Sequence, residues 1–340
     1  MPLGVEKAAL MGSGAGAALK MLGAGGTQPS NAGYDYRGVN IWNSLTDAWT
    51  SGTSMTGDSG AKTSYTGNNF IQGPTGFDGM FYSIYGYSPG NAGITTNLEY
   101  NYSADTSATR TSGPSPGRYS FGCMQSPALQ YCCSGMSWSN NTSYVYYSDV
   151  DAYAFATDSW TSKTNTPLAV LRKWYNCMLS DDTNKVYIAM GMYKPGATWT
   201  KTDACRTYSV SGDSYTTITS ANTEHMATSG QWIDDINGKM YCPFGYKQGA
   251  SPPIRLELIY TTLATEAWNY ATSSPANSRA GAYFGQDETY GYYSAGEEGS
   301  ASPTGYTNTG GSYNMITDTW ATGTPTNQTD SSSAGVTGSF

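Results

Sequence analysis

The sequence predicts an all-β fold built from six repeats of four short strands. Aromatic residues make up 14% of the 340-residue chain, and 29 of them are Tyr. A disordered chain is usually poor in aromatic residues, whereas Tyr, Trp and Thr favour strands and the 41 glycines favour turns. The third observation is a recurring phrase, Thr-Asp-x-Trp, which occupies residues 46–49, 157–160 and 317–320.

The phrase marks a regular period along the chain. Weaker copies carry Asp105, Asp213 and Glu266, and together with the strong copies they give acidic residues at positions 47, 105, 158, 213, 266 and 318. Successive positions lie 52 to 58 residues apart. A near-constant period in this range, with a strand-rich composition, is typical of the blades of a β-propeller.

Each repeat contains four segments of strand length in a fixed order. First strands are predicted in RYSFGCM, LRKWYNCM, SGQWI and RAGAYF. Second strands are predicted in GMFYSIYGY, ALQYCCSG, NKVYIAMGM, GKMYCPFGY and ETYGYYSAG, and most of these end near a Gly. Third strands are predicted in VNIWNS, NLEYNY, DAYAFA, RTYSV, RLELIY and GSYNMI, each just before the acidic residue, and the fourth strand starts at the Trp.

These segments resemble the kelch repeat. Residues that match the family pattern are the opening arginines Arg118, Arg172 and Arg279, the second-strand tyrosines Tyr187 and Tyr241, and the fourth-strand tryptophans Trp49, Trp160, Trp268 and Trp320. The Gly-Gly doublet of the family is mostly lost, and two of the six copies lack the Trp. The resemblance covers roughly residues 33–340 and implies a kelch-like architecture, without implying an activity.

The phase of the repeat at the two ends predicts how the ring closes. Residues 335–340 fall where a first strand belongs, and residues 33–52 supply the second to fourth strands. Pairing them gives a six-bladed propeller over residues 33–340 without a free sheet edge. Residues 1–32 are predicted to form a separate Gly/Ala-rich arm.

The arm is predicted to anchor the protein to other subunits. Its start forms at most one short helix, from Val5 to Met11, in which Val5, Ala8, Leu10 and Met11 are the candidate anchoring residues. The glycines that follow allow close approach to a neighbour. Neither a secretory signal nor an apolar run of about 20 residues, as a membrane span requires, is predicted.

The repeated phrase itself is interpreted as a corner between the third and fourth strands. A short polar side chain can hydrogen-bond the backbone of a tight turn, and the Trp is expected to pack its ring on the neighbouring blade. This interpretation gives the repeated Asp residues a structural role and leaves the function to the parts that do not repeat.

The connections between second and third strands are long and differ from one repeat to the next. Variable loops on a fixed scaffold are the usual place for recognition. The candidate binding residues on this face are the aromatics Tyr87, Trp138, Trp199, Tyr246 and Tyr306. The alternative is that each aromatic only pins its own loop.

The composition argues against several classes of site. A single His, His225, and six Cys without a C-x-x-C pair do not predict a metal centre, a cofactor site or a catalytic triad. Asp149 and Asp151 can hold a cation together, but no calcium-loop spacing follows them. The thiols of Cys123, Cys132, Cys177 and Cys242 are expected to be buried and unbridged. The net charge of −8 argues against nucleic acid as a partner.

Two non-enzymatic functions remain. The first is a structural protein of a bacteriophage virion, which uses the arm to join a symmetric assembly and the variable face to bind a host-surface glycan or protein. Its basis is analogy with phage appendage proteins, which are often rich in Gly, Ser, Thr, Tyr and Asn and poor in Lys. The alternative is a cellular or secreted kelch-repeat protein that binds a glycan or a partner protein.

Overall fold

A computed structural model describes somewhat more than half of the chain, and every regular element in that part is a strand. The described residues are 19–24, 39–43, 46–54, 70–72, 80–87, 93–101, 104–118, 122–125, 129–133, 135–139, 143–165, 176–180, 185–190, 192–193, 200–201, 203–221, 232–244, 257–273, 283–286, 289–294, 297–298, 305–323 and 334–339. The all-β class predicted from the sequence is confirmed for these residues.

Twenty-four of the strands form six antiparallel sheets of four. Sheet 1 joins β1 (Leu19–Ala24), β2 (Val39–Asn43), β3 (Ala48–Gly52) and β30 (Ala334–Ser339). Sheet 2 joins β4 (Phe70–Gln72), β5 (Met80–Tyr87), β6 (Gly93–Asn101) and β7 (Thr106–Arg110). Sheet 3 joins β8 (Gly122–Gln125), β9 (Leu129–Cys133), β12 (Val150–Ala154) and β13 (Ser159–Lys163).

The second half of the chain repeats the same order. Sheet 4 joins β14 (Asn176–Ser180), β15 (Lys185–Ala189), β18 (Cys205–Ser209) and β19 (Ser214–Ile218). Sheet 5 joins β20 (Trp232–Asp234), β21 (Lys239–Pro243), β22 (Leu258–Thr262) and β23 (Trp268–Tyr270). Sheet 6 joins β24 (Tyr283–Gln286), β25 (Tyr290–Ser294), β28 (Gly310–Asn314) and β29 (Thr319–Gly323).

Three two-stranded sheets complete the described structure. They are β10 (Met136–Ser139) with β11 (Ser143–Tyr146), β16 (Met192–Tyr193) with β17 (Thr200–Lys201), and β26 (Glu297–Glu298) with β27 (Gly305–Tyr306). The six four-stranded sheets fit six blades, so the architecture is compatible with a β-propeller-like fold.

Sheet 1 contains strands from both ends of the chain. The strand β30 pairs with β1, and β1 pairs with β2. The last strand therefore shares a sheet with β2 and β3, but the strand that it pairs with is β1, which lies within the predicted arm of residues 1–32. Sequence analysis missed β1 because its residues, Leu-Lys-Met-Leu-Gly-Ala, lack the Tyr and Trp that mark the other repeats. Residues 32–38, predicted as the second strand, lie outside the described residues.

The acidic residue of every repeat has the same backbone conformation. Asp47, Asp105, Asp158, Asp213, Glu266 and Asp318 all have positive φ, between 44° and 54°. Asp enters this left-handed region more easily than most residues because its short side chain can hydrogen-bond locally. All six positions predicted from the period are thus corners between a third and a fourth strand.

The tryptophans of the phrase pack on the preceding sheet, as expected. Trp160 of sheet 3 donates its indole N–H to the carbonyl of Thr111, which follows sheet 2, at 2.9 Å. Trp268 of sheet 5 makes the equivalent bond to the carbonyl of Thr219, which follows sheet 4, at 3.0 Å. The core therefore lies in the interfaces between successive sheets.

A second set of residues with positive φ sits where the second strands end. Tyr85, Met190 and Phe244 have φ between 56° and 59°, and each precedes a Gly in the sequence. Bulky residues thus occupy a backbone conformation that favours Gly. The left-handed conformation costs roughly 1–2 kcal/mol, and the burial of these side chains offsets it. Tyr85 packs 5.5 Å from the Trp160 ring, and Phe244 packs 5.6 Å from the Trp320 ring.

Candidate functional site

The connections between second and third strands carry most of the additional structure. In sheets 3, 4 and 6 these connections contain the hairpins β10–β11, β16–β17 and β26–β27. In sheet 2 the second and third strands are themselves longer, eight and nine residues against five elsewhere in most sheets. Among the described residues, the same end of the repeat is thus elaborated in four of the six sheets. We call these four elements the extensions.

The extension of sheet 2 begins at an irregularity in the strand pairing. The register between β5 and β6 shifts between Ile84 and Gly86, at Tyr85 with its positive φ. Such a bulge bends the strand and redirects the residues beyond it. The pairing then continues as far as Tyr87 and Gly93.

The structure places three of the five candidate binding residues on strands. Tyr87 is the last residue of β5, Trp138 lies in β10 and Tyr306 lies in β27. Trp138 and Tyr306 are therefore in hairpins, where the sequence had predicted irregular loops. Trp199 and Tyr246 lie outside the described residues, as do the anchoring candidates Val5, Ala8, Leu10 and Met11.

Two of the extensions touch each other. The backbone N–H of Gly93, in β6, donates to the hydroxyl of Ser137, in β10, at 3.0 Å. Gly93 also approaches Gly117 so closely that a Cβ on Gly93 would lie 2.1 Å from the Gly117 carbonyl oxygen. This contact joins β10, which carries Trp138, to β6, in which Gly93 pairs with Tyr87 of β5.

A buried ion pair lies beside this contact, at Arg118, the residue that follows Gly117. Arg118, 1% exposed, pairs with Asp151 at 2.5 Å and with Asp149 at 3.1 Å. The Tyr85 hydroxyl donates to Asp151 at 3.0 Å. Burial raises the pKa of Asp151, and the charge of Arg118 and the Tyr85 hydrogen bond oppose that rise. The cation that Asp149 and Asp151 hold is thus the guanidinium of Arg118, a partner that sequence reasoning did not connect to them.

The corner carboxylates join one sheet to the next. Five of the six corner carboxylates accept a hydrogen bond from an aromatic side chain five residues earlier: Tyr100 to Asp105, Tyr153 to Asp158 at 2.6 Å, Tyr208 to Asp213 at 2.6 Å, Tyr313 to Asp318 at 3.0 Å, and the indole of Trp42 to Asp47 at 2.9 Å. The Tyr residues at this position were visible in the sequence, but their period-linked bond to Asp was not recognised.

Four of these carboxylates also bind the end of the preceding sheet. They accept backbone N–H groups: Thr53 to Asp105 at 2.7 Å, Thr111 to Asp158 at 2.9 Å, Thr164 to Asp213 at 3.1 Å and Thr272 to Asp318 at 3.1 Å. Burial acts to raise the pKa of Asp318, but hydrogen bonds from Ser273, Thr272 and Tyr313 prevail and lower it to about 2. These Asp side chains therefore serve as inter-sheet clamps.

Within the described part of the chain, no group of three or more His, Cys, Asp or Glu side chains is placed to hold a metal ion. The buried polar network of sheet 2 is internally paired: the Tyr82 hydroxyl donates to Glu99 at 2.6 Å, and Arg110 pairs with the same carboxylate at 2.7 Å. The described residues also contain no helix long and apolar enough to cross a membrane.

Comparisons with known proteins do not assign the chain to a family. No family model matches it, and no curated protein matches it. The kelch resemblance therefore rests on the repeat motifs of this chain alone.

Proposed function

We propose that this protein is a non-enzymatic structural component of a bacteriophage virion, built as a closed, kelch-like six-bladed propeller. In this proposal an N-terminal segment attaches the propeller to other virion proteins in a symmetric assembly. The extensions bind a host-surface glycan or protein, or a neighbouring virion protein.

The observation that carries the recognition part is the uneven distribution of structure within the repeats. The corners between third and fourth strands keep one conformation and one acidic residue in all six repeats, whereas the extensions differ in length and strand content. A constant scaffold that presents variable elements at one position is the usual arrangement of a recognition surface.

The composition supports a virion protein over an intracellular adaptor. The chain is rich in Gly, with 41 residues, and in Tyr, with 29, while Lys and Arg together number only 17. Tyr, Ser, Gly and Asn are the residues of adaptable binding surfaces. The assignment to a virion is an analogy with the composition of phage appendage proteins.

The segment proposed for attachment is shorter than the arm of residues 1–32 predicted from the sequence. The strand β1 belongs to sheet 1, which leaves the residues before Leu19 for attachment. The segment retains Val5, Ala8, Leu10 and Met11, the apolar residues proposed to contact the neighbouring virion protein.

The decisive experiment deletes residues 1–17 in the phage genome and measures the protein in purified particles by mass spectrometry. We expect the truncated protein to keep its melting temperature and to be lost from the particles. A second deletion, of residues 1–24, removes β1 as well and is expected to lower the melting temperature. Normal incorporation of the shorter deletion contradicts the anchoring proposal, and absence of the intact protein from particles contradicts the virion assignment.

The second candidate is a cellular or secreted kelch-repeat protein that binds a glycan or a partner protein. The same extensions favour it, because they belong to the fold of the single chain and can bind a ligand without assembly into a particle. Recovery of the protein as a soluble species, absent from purified particles, would support this candidate in place of the first.

A further inference from the structure

The interface between sheets 6 and 1, here called seam 6/1, contains an open cleft of about 330 Å³. Its walls are aromatic: Trp42 and Trp49 come from sheet 1, and Tyr290 and Tyr292 come from sheet 6. The rings of Trp42 and Tyr292 lie 4.9 Å apart, tilted by 50°. The volume is at the lower end of the range of about 300–1,000 Å³ for small-molecule sites.

The floor of the cleft consists of small residues of sheet 6. These are Ser294, Gly310, Gly311, Ser312, Ala321 and Gly323. Pairing registers show which residues of sheet 5 hold the equivalent places: Leu258 corresponds to Gly310 and Tyr260 to Ser312. The cleft therefore exists because this sheet has lost side chains that fill the interface between sheets 5 and 6.

Two buried polar side chains at this seam lack a partner among the described residues. The Ser294 hydroxyl lines the cleft, is 1% exposed and makes no hydrogen bond. Asn40 is fully buried on the same face of β2 as Trp42, and neither of its amide atoms is paired, but it is not among the described residues that line the cleft. A buried polar group without a partner costs about 1–3 kcal/mol, so a ligand hydroxyl that reaches Ser294 from the cleft removes this cost.

The charged residues of the lining limit the chemical class of ligand that the cleft can bind. The described lining contains one carboxylate, Asp47, and no Lys or Arg, which disfavours an anion. Asp47 is held in place because it accepts the indole N–H of Trp42 at 2.9 Å. Broad aromatic walls, a carboxylate acceptor and the hydroxyls of Ser294, Ser312 and Thr322 match a flat ring with apolar C–H faces and a rim of hydroxyls.

We propose that the cleft of seam 6/1 binds a neutral saccharide, with a sugar ring against the tyrosine and tryptophan faces and its hydroxyls on Ser294 and Asp47. This site uses none of the five aromatic residues predicted for the extensions. The inference stands whether or not the protein belongs to a virion, because its test needs only the isolated chain.

The test titrates the intact protein with glucose, galactose, mannose, N-acetylglucosamine, lactose and maltose, and follows saturation-transfer NMR and tryptophan fluorescence. We expect at least one saccharide to bind with a Kd of roughly millimolar order. Tyr290→Ala is expected to weaken that binding about tenfold, by loss of about 1.4 kcal/mol, and Ser312→Tyr is expected to abolish it by filling the cleft.

Ser294→Ala separates a binding role from a structural one. Loss of the hydroxyl is expected to weaken saccharide binding severalfold while the melting temperature stays equal or rises, because an unpaired buried hydroxyl disappears. The matched control is Tyr270→Ala, which removes an aromatic ring that is 55% exposed on the outer strand of sheet 5 and does not line the cleft. It is expected to leave binding unchanged.

Several outcomes would overturn the proposal. No binding by any of the six sugars would do so, as would binding that survives Ser312→Tyr in a folded protein. Tighter binding of tetramethylammonium than of every sugar would show that the aromatic walls and Asp47 recognise a cation instead.

Discussion

The interface between sheets 5 and 6, here called seam 5/6, is filled with side chains, whereas seam 6/1 keeps an open cleft. In seam 5/6 the ring of Trp232 stacks on Tyr313 at 6.0 Å, and Phe244 packs against Tyr293 at 4.9 Å and against Trp320. The cluster is closed by Tyr241, Leu258, Phe284 and Met315, all buried.

The two interfaces are built from equivalent strands, so the difference comes from side chains. Trp42, Asp47 and Trp49 in sheet 1 hold the places of Tyr313, Asp318 and Trp320 in sheet 6. On the opposite wall, Gly310 and Ser312 of sheet 6 hold the places of Leu258 and Tyr260 in sheet 5. Seam 5/6 is thus packed with large side chains, whereas seam 6/1 is open where two of these positions carry small residues.

The largest effect is expected from Phe244→Ala in seam 5/6. Phe244 is buried and contacts Tyr293, Phe284 and Trp320, so truncation should cost about 3–5 kcal/mol of the free energy of unfolding. Denaturant melts measure the loss. A cost below that of an ordinary surface substitution would show that the seam is not a tightly packed core.

The next test exchanges a residue pair between the two seams. Tyr260→Ser in seam 5/6 is expected to cost about 1–3 kcal/mol, because Tyr260 packs on the cluster through Tyr241 at 5.6 Å. Ser312→Tyr in seam 6/1 places a tyrosine in an open cleft and should change stability by about 1 kcal/mol at most. Equal and large losses from both changes, in parallel melts, would contradict the view that only one seam has spare volume.

The sequence predicted the regular part of this comparison well. Each acidic residue occupies the same turn between a third and a fourth strand. An acidic residue therefore recurs in the sequence every 52 to 58 residues. It predicted much less of the cleft and the extensions. Small residues at Gly310 and Ser312 carry no pattern of their own, and their significance becomes visible only when the pairing registers align sheet 6 with sheet 5.

The strand β1 escaped prediction for a related reason. Its residues lack the aromatic signature, and its place in sheet 1 depends on pairing with β30, more than 300 positions away in sequence. Sequence periodicity marks residues that occupy equivalent positions and make the same local contacts in each repeat. It does not mark a strand whose main constraint is a distant partner.

Acid is expected to weaken seam 5/6 because it protonates Asp318, the carboxylate that accepts the backbone N–H of Thr272 at the end of sheet 5. The pKa of Asp318 falls from 3.8 to about 2 in the folded protein, so ionisation of this carboxyl stabilises the fold above pH 3.8. That contribution is lost as the pH falls towards 2, because the unfolded chain then binds the proton more readily. We expect Asp318→Asn to be less stable than the parent protein near neutral pH and to lose less stability on acidification. Parallel pH profiles of the melting temperature would contradict this role.

The smallest effect on stability is expected from Tyr290→Ala at the rim of seam 6/1. Tyr290 is 37% exposed, and its ring centroid lies 6.1 Å from that of the neighbouring Tyr292, so its removal should change the free energy of unfolding by about 0.5 kcal/mol. Thermal melts of the variant beside Phe244→Ala measure this directly. A wall residue that contributes little to folding, yet is needed for saccharide binding, is what a ligand site predicts. A large loss of stability would instead make Tyr290 part of the packing that joins sheet 6 to sheet 1.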